Sequence, residues 1–127
     1  MKNDNHVWDN KLPTAQMLGR WQPWHAGHQK LFEEILKKTG QVNIMVRDVK
    51  GVDDNPFDFE TVKKNIEDRL NPEFEGHFKI ILVPNITNIC YGRGVGYKIE
   101  KIELPEEIQK ISATKIRAKM REEGKLD

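Results

Sequence analysis

Residues 15–47 read AQMLGRWQPWHAGHQKLFEEILKKTGQVNIMVR, and this stretch decides the fold. Residues 15–19 form a short, largely apolar run that ends at Gly19 and is followed by Arg20, which suits a buried strand feeding a loop. Over residues 26–38, Leu31, Phe32, Ile35 and Leu36 recur at helical spacing while Lys30, Glu33, Glu34, Lys37 and Lys38 fill the outer face. Thr39-Gly40 then stops the helix. Residues 41–47 concentrate Val42, Ile44, Met45 and Val46 into a second strand. It follows the helix closely enough for a right-handed strand–helix–strand unit, which requires the two strands to be parallel.

Downstream the alternation continues. A polar loop over residues 48–54 leads to Asn55-Pro56, where Asn55 is expected to cap a helix and Pro56 to take its first position. That helix runs through Val62, Ile66 and Leu70 and is closed by Asn71-Pro72. Residues 79–84, KIILVP, are expected as a third strand, and residues 97–104 as a fourth element whose charges leave it open between strand and helix. Ser112 opens a last helix that extends to Glu123 and ends at Gly124. Upstream, residues 1–14 read as an N-terminal tail outside the core, with Val7 and Trp8 as its apolar anchors. The expectation is an α/β protein: one domain over residues 15–127, built as an open parallel sheet with helices on both faces. Ligands then belong at the carboxyl ends of the strands.

The composition narrows the function classes. In 127 residues, 21 Lys and Arg face 20 Asp and Glu, a formal charge of +1, so there is no bulk attraction for nucleic acid or an anionic membrane. Any anion site must be local. No apolar run approaches the roughly 18 residues of a membrane span, and MKNDNHVWDNK has no signal-peptide core, so a cytoplasmic location is expected. Cys90 has no second cysteine for a disulfide or a CxxC metal site, and is expected as a small, half-buried residue.

Two constellations carry chemistry. In GRWQPWHAGH, residues 19–28, His25, Gly27 and His28 fall at the strand-to-helix junction, where unpaired helix N–H groups and the positive end of the helix dipole favour a phosphate. Gly27 lets the backbone pass close to a bound group, and the two imidazoles fall on one side of the opening turn. A His-x-x-His spacing also suits zinc, but no third ligand is evident. Trp21 and Trp24 fit packing as well as stacking on a base. In ISATKIR, residues 111–117, Ser112 is an N-cap, Thr114 lies in the first turn and Arg117 follows, so hydroxyls, N–H groups and a guanidinium face one way.

GRWQPWHAGH resembles the signature of the HIGH-type nucleotidyltransferase superfamily, including its cytidylyltransferase-like members, at Gly19, Arg20, Gln22, Pro23, His25, Gly27 and His28. ISATKIR is similar to the superfamily's carboxyl-terminal ISxTxIR motif and stands about 84 residues after HxGH, so the resemblance covers residues 15–121. It implies a Rossmann-like fold, binding of a nucleoside triphosphate with Mg²⁺, and transfer of a nucleotidyl group to a small phosphorylated acceptor with release of pyrophosphate. His25, His28 and Arg117 are then the expected catalytic residues. Gly19, Arg20, Trp21, Gln22, Gly27, Ser112 and Thr114 are the expected nucleotide contacts. No protein side chain is expected to ligate the metal. Asn55-Pro56-Phe57 resembles the NPF that opens the matching helix of archaeal-type nicotinamide mononucleotide adenylyltransferases.

Further groups fall near the same sheet end. Arg47 and Lys50 follow the second strand and can neutralise the α-phosphate or hold the acceptor phosphate. Tyr91 and Arg93, in the glycine-rich stretch 91–97, are within reach of base or acceptor, although that stretch lacks GxGxxG spacing. Asp53-Asp54 lacks the partners of a metal site. The length is similar to that of small stand-alone cytidylyltransferases, a resemblance that favours CTP and hence CMP transfer, whereas RWQPWH and ISATKIR look more like adenylyltransferases that use ATP. A non-catalytic nucleotide-binding module is the reading from a different class. A homodimer is the expected assembly, by resemblance to small members of the superfamily.

Overall fold

The computed structural model describes residues 5–94 and 96–127. Val95, within the glycine-rich stretch, and the first four residues of the tail lie outside them. Seven elements follow in chain order: β1 (Ala15–Gly19), α1 (Ala26–Thr39), β2 (Val42–Arg47), α2 (Phe59–Leu70), β3 (Phe78–Val83), α3 (Glu106–Gln109) and α4 (Ala113–Glu122). The three strands make one parallel sheet in the order β1-β2-β3, with Met17 level with Ile44 and Ile44 level with Ile80.

Side-chain alternation along these strands sorts the residues onto two faces. Met17, Val42, Ile44 and Val46 point to one face and are buried with Phe32, Ile35 and Leu36 of α1, Val62, Ile66 and Leu70 of α2, and Phe74. Two successive right-handed crossovers in the same direction put α1 and α2 on the same side of the sheet. The opposite face carries half-exposed Leu18 and Met45, exposed Ile81, and Gln16 and Lys79. The sheet is therefore flanked by its crossover helices on one face, and the expectation of helices on both faces is not met.

Local signals explain the helix ends. Gly40 closes α1 at φ 86, a left-handed conformation that glycine adopts without strain, and returns its N–H to Leu36. Asp58 opens α2 by accepting from the Thr61 N–H at 2.9 Å. The expected cap, Asn55, instead sits buried in the preceding loop, its side-chain amide given to the Val52 carbonyl. Asp58 wins because its carboxylate satisfies a first-turn donor and complements the dipole. At the other end Ser112 caps α4 and Gly124, at φ 77, lies just beyond it, as expected.

Residues 97–104 form neither strand nor helix. Lys98, Glu100, Lys101 and Glu103 leave this segment no continuous apolar face. It is tied down by Ile102, packed on the core, and by a 3.4 Å Lys38–Glu100 ion pair. Cys90 is exposed rather than half-buried, in the irregular chain after β3.

The described part of the tail docks through polar groups at the amino end of the sheet, and Val7 is exposed rather than an anchor. Buried Gln41 donates to the Asp9 carbonyl and to Thr14 Oγ1, both at 2.7 Å, and its Oε1 lies 3.2 Å from His6 Nε2. The His6 ring stacks on His77, with centroids 4.4 Å apart. Gly76 makes this possible: at φ 85, a Cβ there would lie 1.8 Å from the His6 carbonyl oxygen.

Candidate functional site

β1 ends at Gly19, and the chain turns through Trp21, which holds the left-handed φ of 52 that a bulky residue rarely adopts. Two contacts hold the turn. The Trp21 indole N–H donates to the Met45 carbonyl at 3.2 Å, and its ring lies over Gly19, where an added Cβ would meet ring carbons at 2.6 Å. Trp21, expected at the nucleotide, is thus a core residue whose ring is buried in the packing.

Gln22 is also committed to the fold. Its amide donates to the Phe57 carbonyl and its Oε1 accepts from the Phe57 N–H, both at 2.9 Å, which pins the loop before α2. Both ends of a side chain expected at the nucleotide are taken by backbone. Arg20 is exposed beside these two, open to solvent.

The two histidines then open α1. His25 is the N-cap, and its Nδ1 accepts from the Gly27 N–H at 3.0 Å and the His28 N–H at 3.4 Å. In return the His25 N–H donates to His28 Nδ1 at 3.2 Å. The first-turn N–H groups expected to meet a phosphate, that of Gly27 included, are therefore capped by His25. Gly27 has a steric reason as well: a Cβ there would lie 2.8 Å from the His25 ring and 3.5 Å from the Ile108 carbonyl oxygen of α3.

These bonds set the tautomers. A ring nitrogen that accepts carries no proton, so each neutral imidazole keeps its hydrogen on Nε2, as a donor. The rings stack with centroids 3.6 Å apart, and His28 also meets Trp21 edge-on at 4.7 Å. Burial holds His28 neutral, its pKa pushed down to about 3, with neighbouring His25 adding to the effect. Burial lowers His25 as well, followed by the charge of Arg69. The pair presents two neutral N–H donors and no cation.

The second motif folds against this junction. Arg117 is buried on α4, and its Nη1 donates to the Gln22 carbonyl at 2.5 Å across most of the chain. The structure thus brings the two sequence motifs together. Arg117 is not open, however. Its Nε donates to Asp54 at 2.9 Å, and its Nη2 lies 3.4 Å from Thr114 Oγ1. Ser112 Oγ accepts from the Lys115 N–H at 3.3 Å as the helix cap, while Thr114 is exposed.

At the carboxyl ends of β2 and β3 a crevice of about 10 Å³, room for about one water, is lined by Gln22, Arg47, Asp48, Lys50, Phe57 and Leu82 among others. Arg47 Nη2 donates to Asn85 Oδ1 at 2.7 Å, and its buried Nε has no partner among the described residues. Lys50 is exposed on the loop. Tyr91 and Arg93 are exposed beyond β3, where the Tyr91 and Tyr97 rings meet edge-on at 5.9 Å.

Sequence reasoning missed Asp54 and Arg121. Asp54 accepts from Arg117 and from Arg121 Nη2, the latter at 2.5 Å, and these bonds hold its carboxyl at about 2. Arg117 and Arg121 stand four apart on one helix face, a spacing visible in the sequence, but their carboxylate partner lies in a remote loop. No three His, Cys, Asp or Glu side chains converge on a metal-sized site among the described residues. No helix among them is long and apolar enough to cross a membrane. No protein-family model matches the chain, and no curated protein matches its sequence.

Proposed function

We propose that the protein is a nucleotidyltransferase with a Rossmann-like fold, which transfers CMP from CTP to a small phosphorylated acceptor and releases pyrophosphate. The observation that carries the reading is the Arg117–Gln22 bond, which closes the ISATKIR helix onto the GRWQPWHAGH loop that carries the two imidazoles with their protons on Nε2. In the reaction an acceptor phosphate oxygen attacks the α-phosphorus in line; the new P–O bond forms as the bond to the β-phosphate oxygen breaks, and pyrophosphate leaves with that electron pair. No protein nucleophile is needed. His25 and His28 donate from Nε2 to the oxygens on which charge grows, and burial, which lowers the pKa of both, favours their neutral form in that role.

Arg47 supports a place for the second phosphate. Its buried Nε without a partner lies at the carboxyl end of β2, and Lys50 follows on the adjoining loop. Together they are the acceptor-phosphate donors of this reading, with Tyr91 and Arg93 on the flank of the base or acceptor. Mg²⁺, when bound, would offset charge on the triphosphate.

The test has two stages. Thermal shift with CTP, ATP, GTP and UTP in the presence of Mg²⁺ identifies the base, and CTP is expected to raise Tm most. Pyrophosphate release is then measured with that nucleotide and a panel of sugar, polyol, choline-type and amino-acid-derived phosphates. A larger shift with ATP moves the reading to an adenylyltransferase. Triphosphate binding with no pyrophosphate from any acceptor makes the protein a nucleotide-binding module, and absence of binding by all four nucleotides refutes the proposal.

A further inference from the structure

Arg117 and Arg121 share one carboxylate across a gap of 63 residues and more. Arg117 Nε donates to Asp54 Oδ2 at 2.9 Å, Arg121 Nη2 to Oδ1 at 2.5 Å and Arg121 Nη1 to Oδ2 at 3.3 Å. The remaining groups of Arg117 are fixed by Gln22 and Thr114, so its Nε edge is the one it offers to an anion. Arg121 is steadied from behind, its Nε donating to the Asp127 carbonyl at 2.6 Å. Asp54 is the exposed partner, on the loop between β2 and α2.

Two guanidiniums converging on both oxygens of one group is the geometry with which arginines hold a phosphate. We propose that Asp54 is an internal anion that fills the seat between Arg117 and Arg121 in the free protein and must be displaced by a terminal phosphate of a nucleoside triphosphate, with Arg121 joining Arg117 as a phosphate contact. The choice of ligand rests on the nucleotidyltransferase reading. The charge balance favours exchange. Asp54 compensates the buried Arg117 in the free protein, where an unpaired charge would be strongly destabilising. A phosphate brings more negative charge and a third acceptor oxygen to the same donors. The loop backbone is held on both sides of Asp54, by buried Asn55 bonded to Val52 and by Phe57 bonded to Gln22, so the displacement is one of the exposed Asp54 side chain. Arg121 thereby becomes a phosphate contact, and Asp54 a residue that lowers affinity for the triphosphate.

Inorganic tripolyphosphate with Mg²⁺ is the probe, titrated calorimetrically into the wild-type protein, Asp54→Asn and Arg121→Gln, with circular dichroism as the folding control. Asp54→Asn is expected to bind tripolyphosphate at least about threefold more tightly, the scale of one or two partly exposed charge pairs, and Arg121→Gln more weakly than wild type. Equal or weaker binding by folded Asp54→Asn overturns the proposal and leaves Asp54 a residue that merely orders Arg117. Should Asp54→Asn not fold, the Arg117 Nε–H resonance of the wild type decides: a shift at saturating tripolyphosphate supports displacement, and an unmoved resonance overturns it. The two readings fail separately. Tighter tripolyphosphate binding by Asp54→Asn, with no preference for any nucleoside triphosphate over tripolyphosphate, supports the seat and removes the nucleotide. Pyrophosphate release with tripolyphosphate affinity unchanged by Asp54→Asn removes the seat and keeps the enzyme.

Discussion

Acid is expected to destabilise this protein through His28. The imidazole lies between His25, Trp21 and Trp24, and its Nδ1 accepts from backbone, so folding disfavours its protonated form. Its pKa is about 3 in the folded protein against the ordinary 6.5. Below pH 6.5 the unfolded chain takes up a proton that the folded chain refuses until about pH 3. Stability present above pH 6.5 is therefore lost as pH falls through that window. At about 1.4 kcal/mol per pH unit the loss between pH 6.5 and 5 is about 2 kcal/mol. Asp54, held at about 2, gives up its pairing only at lower pH and does not enter this interval.

The control is His28→Asn, whose side-chain oxygen can accept the His25 N–H in place of Nδ1 and does not titrate. Urea unfolding of both proteins at pH 7 and pH 5, followed by tryptophan fluorescence, gives the two differences. Wild type is expected to lose about 2 kcal/mol more than the variant. His25, shifted in the same direction, remains in both proteins. Equal losses would show that His28 is protonated freely in the folded state, and the neutral-donor description of the site would fail.

Other substitutions test single contacts. His28→Ala is expected to lower kcat by at least about 10²-fold, the scale of one preorganised donor, in the pyrophosphate assay; near-wild-type turnover would remove its role. Gly19→Ala drives a Cβ into the buried Trp21 ring, and thermal unfolding is expected to show a loss of about 1–3 kcal/mol; an unchanged Tm would mean that the ring yields freely. Gly76→Ala is expected to undock residues 5–14 by displacing the His6 carbonyl, which faster amide exchange and proteolysis there would register.

The strand–helix–strand unit was legible because its signals are local. The apolar spacing of Leu31, Phe32, Ile35 and Leu36 is read within a few turns, and Gly40 and Ser112 act on the helix ends beside them. Residues 97–104 defeated the same reading, because an ambiguous segment becomes a strand only if a sheet edge receives it, and none does here. The start of α2 was expected at Asn55, but the folded loop buries that side chain on the Val52 carbonyl and Asp58 caps the helix instead.

At the site the division is sharper. Sequence alone determined that two imidazoles three residues apart open a helix at the end of a strand, and that a capped helix carrying a buried-capable arginine comes late in the chain. Tertiary structure decided what those groups are free to do. Trp21 and Gln22 were drawn into packing and the Phe57 backbone, and Arg117 was joined to Gln22 and Asp54. A cap lies within a few residues of the helix end it serves, whereas a buried guanidinium must find its acceptors wherever folding brings them, and no local pattern records that meeting.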